Sequence, residues 1–126
     1  MMRLYIASPY APKGCSLHDA SRVVEQNVQR AIKAFHALKK NGGHTPFVPV
    51  LSHYLHIGGS EDYGDWWYDY DLTFLERWAE GLVLLEGWKD SKGCKIELAV
   101  ARRLGLRIYE LVDGELVVYC HEVGGV

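Results

Sequence analysis

The chain has 126 residues, 48% of them hydrophobic, and a formal net charge of -2 from 14 Lys and Arg against 16 Asp and Glu. That length supports one hydrophobic core and not two, so residues 1–126 read as a single domain. No block of like charge is present to grip a nucleic-acid backbone or an anionic membrane, which argues against a nucleic-acid polymer or a membrane as partner.

Leu4 to Ala7 is a short apolar run closed by Ser8-Pro9 and predicts a first strand, because proline cannot continue the ladder of a central strand. From Asp19 to Lys40 the apolar residues Val24, Val28, Ala31, Phe35 and Leu38 recur at spacings of four, three, four and three. That is the period of one helix face, and Asn41-Gly42-Gly43 stops it. Thr45 to Val50 predicts a second strand, pushed to a sheet edge by Pro46 and Pro49. Leu51 to Gly64, with His53 and His56, is too long for a plain connection and reads as a lid or binding loop.

Asp65 to Glu80 carries Trp67, Leu72, Leu75 and Trp78 on a helical stripe, with Asp65 placed to cap its start. Leu82 to Leu85, bounded by glycines, predicts a buried strand. Gly87 to Gly93 reads as a polar loop, and Cys94 to Leu104 as a helix with Ile96, Val100 and Leu104 on one face and Gly105 at its end. Leu106 to Val112 and Leu116 to Tyr119 flank the hairpin turn Asp113-Gly114-Glu115.

This alternation predicts an α/β domain of flavodoxin-like (Rossmann-like) type, a doubly wound, mostly parallel sheet with helices on both faces. The expected strand order is 2-1-3-4 with the last strand at the edge. In such sheets the ligand crevice lies beyond the carboxyl ends of the strands where the order reverses, here between the first and third strands. The loops Ser8 to Cys15 and Gly87 to Gly93 meet there, which makes Ser8, Pro9 and Tyr10 substrate-binding candidates.

Cys15, Cys94 and Cys120 are odd in number and widely spaced, fitting neither a disulfide framework nor paired metal ligands. They read as reduced thiols, and with no long apolar run at Met1 to Ala11 the expected location is cytoplasmic. His53-x-x-His56 lacks a third ligand at convincing spacing, so no metal is expected.

Two regions carry chemistry. The stretch Gly87 to Glu97 leads into a helix with Asp90, Ser91, Gly93 and Glu97 near its start, where free N–H groups and the dipole favour an anion. The plainer reading makes Asp90 or Ser91 only the N-cap and Glu97 a solvated residue. Asp69 and Asp71 sit among Trp66, Trp67, Tyr68 and Tyr70. Acids beside aromatics titrate high and donate protons while the rings stack a flat substrate, although the tryptophans would equally serve as core.

The motifs L-Y-I-A-S-P-Y at Leu4 to Tyr10, W-Y-D-Y-D-L at Trp67 to Leu72 and G-W-x-D-S-x-G-x-x-x-E at Gly87 to Glu97, followed by A-x-x-L-G, together resemble the nucleoside 2-deoxyribosyltransferase superfamily. Its branch of deoxynucleoside 5'-monophosphate N-glycosidases is included in the likeness. The resemblance implies Glu97 as a nucleophile at the anomeric carbon, Tyr5 as the group that holds it, and Asp71 as the acid facing the nucleobase. It also implies a nucleoside or nucleotide substrate with a free nucleobase, no cofactor, and a homo-oligomer. Ser91 stands six residues before Glu97, where the transferases tend to carry an aspartate for the 5'-hydroxyl and the monophosphate hydrolases a serine for the phosphate. Asp90 beside it could take the hydroxyl instead, and the loop after the first strand offers Tyr10 and Lys13 where the hydrolases tend to carry an arginine. Three functions are therefore open: a deoxyribosyltransferase, a 5'-monophosphate N-glycosidase, and a non-catalytic nucleotide-binding module.

Overall fold

The computed structural model describes residues 1–10, 17–51 and 65–119. The strands are β1 (Arg3–Ala7), β2 (Thr45–Phe47), β3 (Gly81–Leu84), β4 (Arg107–Val112) and β5 (Glu115–Val118), and the helices are α1 (Leu17–Lys40), α2 (Asp65–Arg77) and α3 (Lys92–Leu104). They form one sheet in the order β2-β1-β3-β4-β5. β1 pairs in parallel with β2 and β3, β3 with β4, and only the last strand is antiparallel. This is the expected doubly wound order, with the reversal between β1 and β3.

Successive side chains of a strand point to opposite faces, and β1 feeds two cores in this way. Leu4 and Ile6 join Val83 against Val28, Ala31, Ala34 and Leu38 of α1. Tyr5 and Ala7 join Leu82 and Leu84 against Leu75 of α2 and Cys94, Leu98 and Ala101 of α3. One helix thus covers one face and two cover the other.

Most strands differ from expectation by a residue at one end or both and α1 begins at Leu17 rather than Asp19, while three larger or more telling differences have a local reason. β2 ends at Phe47 rather than Val50: Pro49 has no N–H for the ladder, and the chain turns with Leu51 N–H donating to the Val48 carbonyl at 3.1 Å. α2 stops at Arg77 because the Glu80 N–H donates to the Arg3 carbonyl at 2.8 Å, which draws the chain into the sheet. The stretch after β3 is not a plain polar loop: Trp88–Asp90 forms a 3-10 turn with Trp88 buried, and α3 begins at Lys92, two residues earlier than its apolar period indicates.

The β4–β5 hairpin turns on Asp113 (φ 52°) and Gly114 (φ 79°), the two left-handed positions that an Asp-Gly pair tolerates. Of the expected thiols, Cys94 is free and buried. Cys15, Cys120, Lys13, His53 and His56 lie outside the described residues. No helix among those described is long and apolar enough to cross a membrane, and no cluster of metal-ligating side chains occurs among them.

Candidate active site

Three elements converge beyond the carboxyl ends of β1 and β3. β1 delivers Tyr5, a fully buried residue whose ring lies 5.8 Å from Phe47. Its hydroxyl donates a short hydrogen bond to Oε2 of Glu97, the sixth residue of α3. A tyrosine on a central strand is a rigid post, so it fixes the position of the carboxylate. α2 contributes Asp71, a half-buried residue near enough for its charge to act on Glu97.

Both carboxyls titrate high. Burial pushes Glu97 up to about 8, the charge of Asp71 adds to the rise, and the Tyr5 hydrogen bond opposes it. Burial pushes Asp71 up to about 7. Asp71 Oδ1 and Ser8 Oγ are buried and have no hydrogen-bond partner among the described residues. Buried polar atoms are rarely left so, which makes these two atoms candidate ligand contacts.

The two expected loops do meet. Gly87 takes φ 91°, and a side-chain carbon there would stand 3.3 Å from Pro9 Cγ, so the close approach suits glycine. The Tyr10 carbonyl accepts from Nδ2 of buried Asn27 at 3.0 Å, which ties the loop after β1 to α1. Ser91 is the N-cap of α3: its Oγ accepts the Cys94 N–H at 3.2 Å. Ser91 is thus an N-cap, and Glu97 is held by Tyr5 rather than solvated.

Asp90 and Gly93 are exposed, at the 3-10 turn and in the first turn of α3. Asp69 is also exposed, its carbonyl accepting from the Thr73 hydroxyl at 2.8 Å. Trp66 and Trp67 fall in the first turn of α2, and their side chains lie outside the described residues. Cys94 is pushed up to about 12, chiefly by burial, and so is a packing residue rather than a nucleophile.

Sequence reasoning misses three contributors. Trp88 Nε1 donates to Glu110 Oε2 at 3.1 Å and pins the turn before α3 to β4. Asn27 reads in the sequence as one more polar helix residue. Phe47 stacks on Phe74 at 4.2 Å, and Tyr70 meets Phe74 edge-on at 5.4 Å, which builds an aromatic wall next to Asp71. Only the aromatic content around Asp71 was a signal for this. Beside that wall lies a cavity of about 370 Å3 that Asp71 also lines.

A family described as Domain of unknown function (DUF1937) matches residues 2–112. No curated protein matches the chain. Among solved structures, the chain is similar to a 2-deoxyribosyltransferase from the psychrotolerant bacterium Bacillus psychrosaccharolyticus, described as a biocatalyst for nucleoside synthesis. The identity is 21%, the match covers 86% of this chain and 70% of that one, and the TM-score is 0.58. The likeness establishes a shared fold.

Proposed function

Because the chain belongs to the family of domains of unknown function DUF1937, and has the nucleoside 2-deoxyribosyltransferase fold, we propose that it cleaves the N-glycosidic bond of a 2'-deoxynucleoside and transfers the sugar to a second nucleobase. The observation that carries this reading is the pairing of Glu97, held by Tyr5, with Asp71, whose Oδ1 has no partner among the described residues. A pure binding site has no use for two buried acids whose charges oppose each other.

In the first step an oxygen of the Glu97 carboxylate bonds to the anomeric carbon as the C–N bond breaks. The electron pair leaves with the base, whose nitrogen takes the proton of Asp71. The transition state resembles an oxocarbenium ion, so the anion beneath it and the acid beside the leaving group act where charge develops. In the second step the nitrogen of another base attacks the same carbon, the Glu97 oxygen leaves, and Asp71 recovers a proton. No step calls for a cofactor.

A nucleoside fits better than its 5'-monophosphate. The Asp90 carboxylate beside Ser91 opposes a dianion. Chromatography separates the alternatives. A deoxynucleoside mixed with a second free base should give a new nucleoside; release of base from the monophosphate alone would support a hydrolase, and turnover of neither would leave a binding module.

A further inference from the structure

The cavity beside Asp71 is not explained by bond cleavage alone. It is lined by Phe35 of α1, by Pro46 and Phe47 of β2, and by Val48, Pro49 and Leu51 beyond that strand. Tyr70 and Asp71 of α2 complete the described lining. Asp71 therefore stands on a shared wall, with its charge felt by Glu97 on one side and the apolar space on the other.

We infer that this cavity is the selectivity pocket for the departing nucleobase, and that it takes bases bearing an alkyl or aryl substituent in preference to the unsubstituted ring. The inference rests on the reading of Asp71 as the acid that serves the leaving base.

Size is the first argument. At about 370 Å3 the space falls within the roughly 300–1,000 Å3 of pockets that enclose drug-sized ligands. It equals the share of roughly a dozen waters at about 30 Å3 each, more than a bare ring touching Asp71 would fill. The second argument is polarity. An unsubstituted base has carbonyl and N–H groups around most of its edge, and each one buried without a partner is penalised. Six of the eight described lining residues have hydrocarbon side chains, and Pro46 and Pro49 have no N–H to offer. An apolar substituent meets these walls without a polar debt and gains from every methylene it hides. The third argument is shape: Phe47 and Tyr70 line the cavity, and Phe74 stacks on the first and meets the second edge-on, which holds both rings in place for contact with an aryl group.

The test uses the intact chain and free bases, so that no bond is cleaved. Isothermal titration calorimetry compares adenine with N6-benzyladenine, and uracil with 5-benzyluracil. In at least one pair the benzyl base should bind tenfold or more tightly, about 1.4 kcal/mol, with a more negative heat-capacity change. Leu51 lines the cavity and is 38% exposed, so Leu51→Asn should keep the parent Tm while reducing the ratio of benzyl-base to plain-base affinity at least threefold. Equal affinities in both pairs would overturn the inference, as would a preference that survives Leu51→Asn unchanged. Failure of the chromatographic assay would contradict the function, whichever way these titrations fall.

Discussion

At the scale of single residues, the site consists of two acids that burial keeps from ionising together. Glu97 is raised to about 8 and Asp71 to about 7, so the pair gives up its two protons across the neutral range. The proposed reactive form is the singly protonated tautomer with the proton on Asp71 and Glu97 charged, which the Tyr5 hydrogen bond favours and the higher value of Glu97 opposes, so it is the less populated of the two tautomers. kcat/KM should therefore rise with pH near 7 and fall near 8. Asp71→Asn should remove the falling limb and slow ordinary bases by about 10²–10⁴-fold, with a smaller loss on good leaving groups. Equal losses on both substrate types, measured by steady-state kinetics, would reduce Asp71 to a structural role.

The same burial costs stability. Glu97 is raised in the folded state above its ordinary value of 4.5, so its contribution is fully present below that value and is lost as pH rises through about 8. Glu97→Gln keeps an acceptor for Tyr5 and removes the titration. Its Tm relative to the parent should climb by several degrees between pH 5 and pH 9. The motifs point to Glu97, Asp71 and Tyr5, of which the structure joins Tyr5 to Glu97 by a hydrogen bond. The supports Asn27 and Glu110 were not, because each acts on a residue 17 or 22 positions away and looks in the sequence like any polar residue.

At the scale of elements, the start of α3 sets where Glu97 points. Ser91 caps the helix and the Trp88 indole bonds to Glu110, so the turn before the helix is held at both ends. Ser91→Ala should lower stability by about 1 kcal/mol, a fall of about 4 °C in Tm, and leave KM for the deoxynucleoside within about threefold. An unchanged Tm with a large rise in KM would instead make Ser91 a substrate contact. Apolar patterning found every α-helix and strand among the described residues, yet it misjudged the ends of β2 and α2 and the start of α3. Those ends are fixed by the turn at Val48–Leu51 and by the Arg3 carbonyl, neither of which leaves a mark on apolar spacing. The buried Trp88 was hidden in the same way, since Lys89 and Asp90 beside it made the segment look polar.

At the scale of the whole molecule, the order β2-β1-β3-β4-β5 agrees with the alternation of strand and helix patterns, and within it Tyr5 bonds Glu97 while Asp71 comes near enough for its charge to act there. What that order does not encode is the cavity beside β2, which arises only when α1, α2 and the turn after the edge strand are assembled. The central claim is that Glu97 forms a bond to the sugar. Incubation with a 2'-deoxy-2'-fluoro nucleoside tests it most directly, because fluorine destabilises the oxocarbenium-like state and lets the intermediate accumulate. Intact-mass spectrometry should show the parent heavier by one fluorinated sugar, with peptide mapping to Glu97, and Glu97→Gln unmodified. Turnover of the natural nucleoside by Glu97→Gln at a rate within about tenfold of the parent, or an adduct on any other residue, would contradict the account.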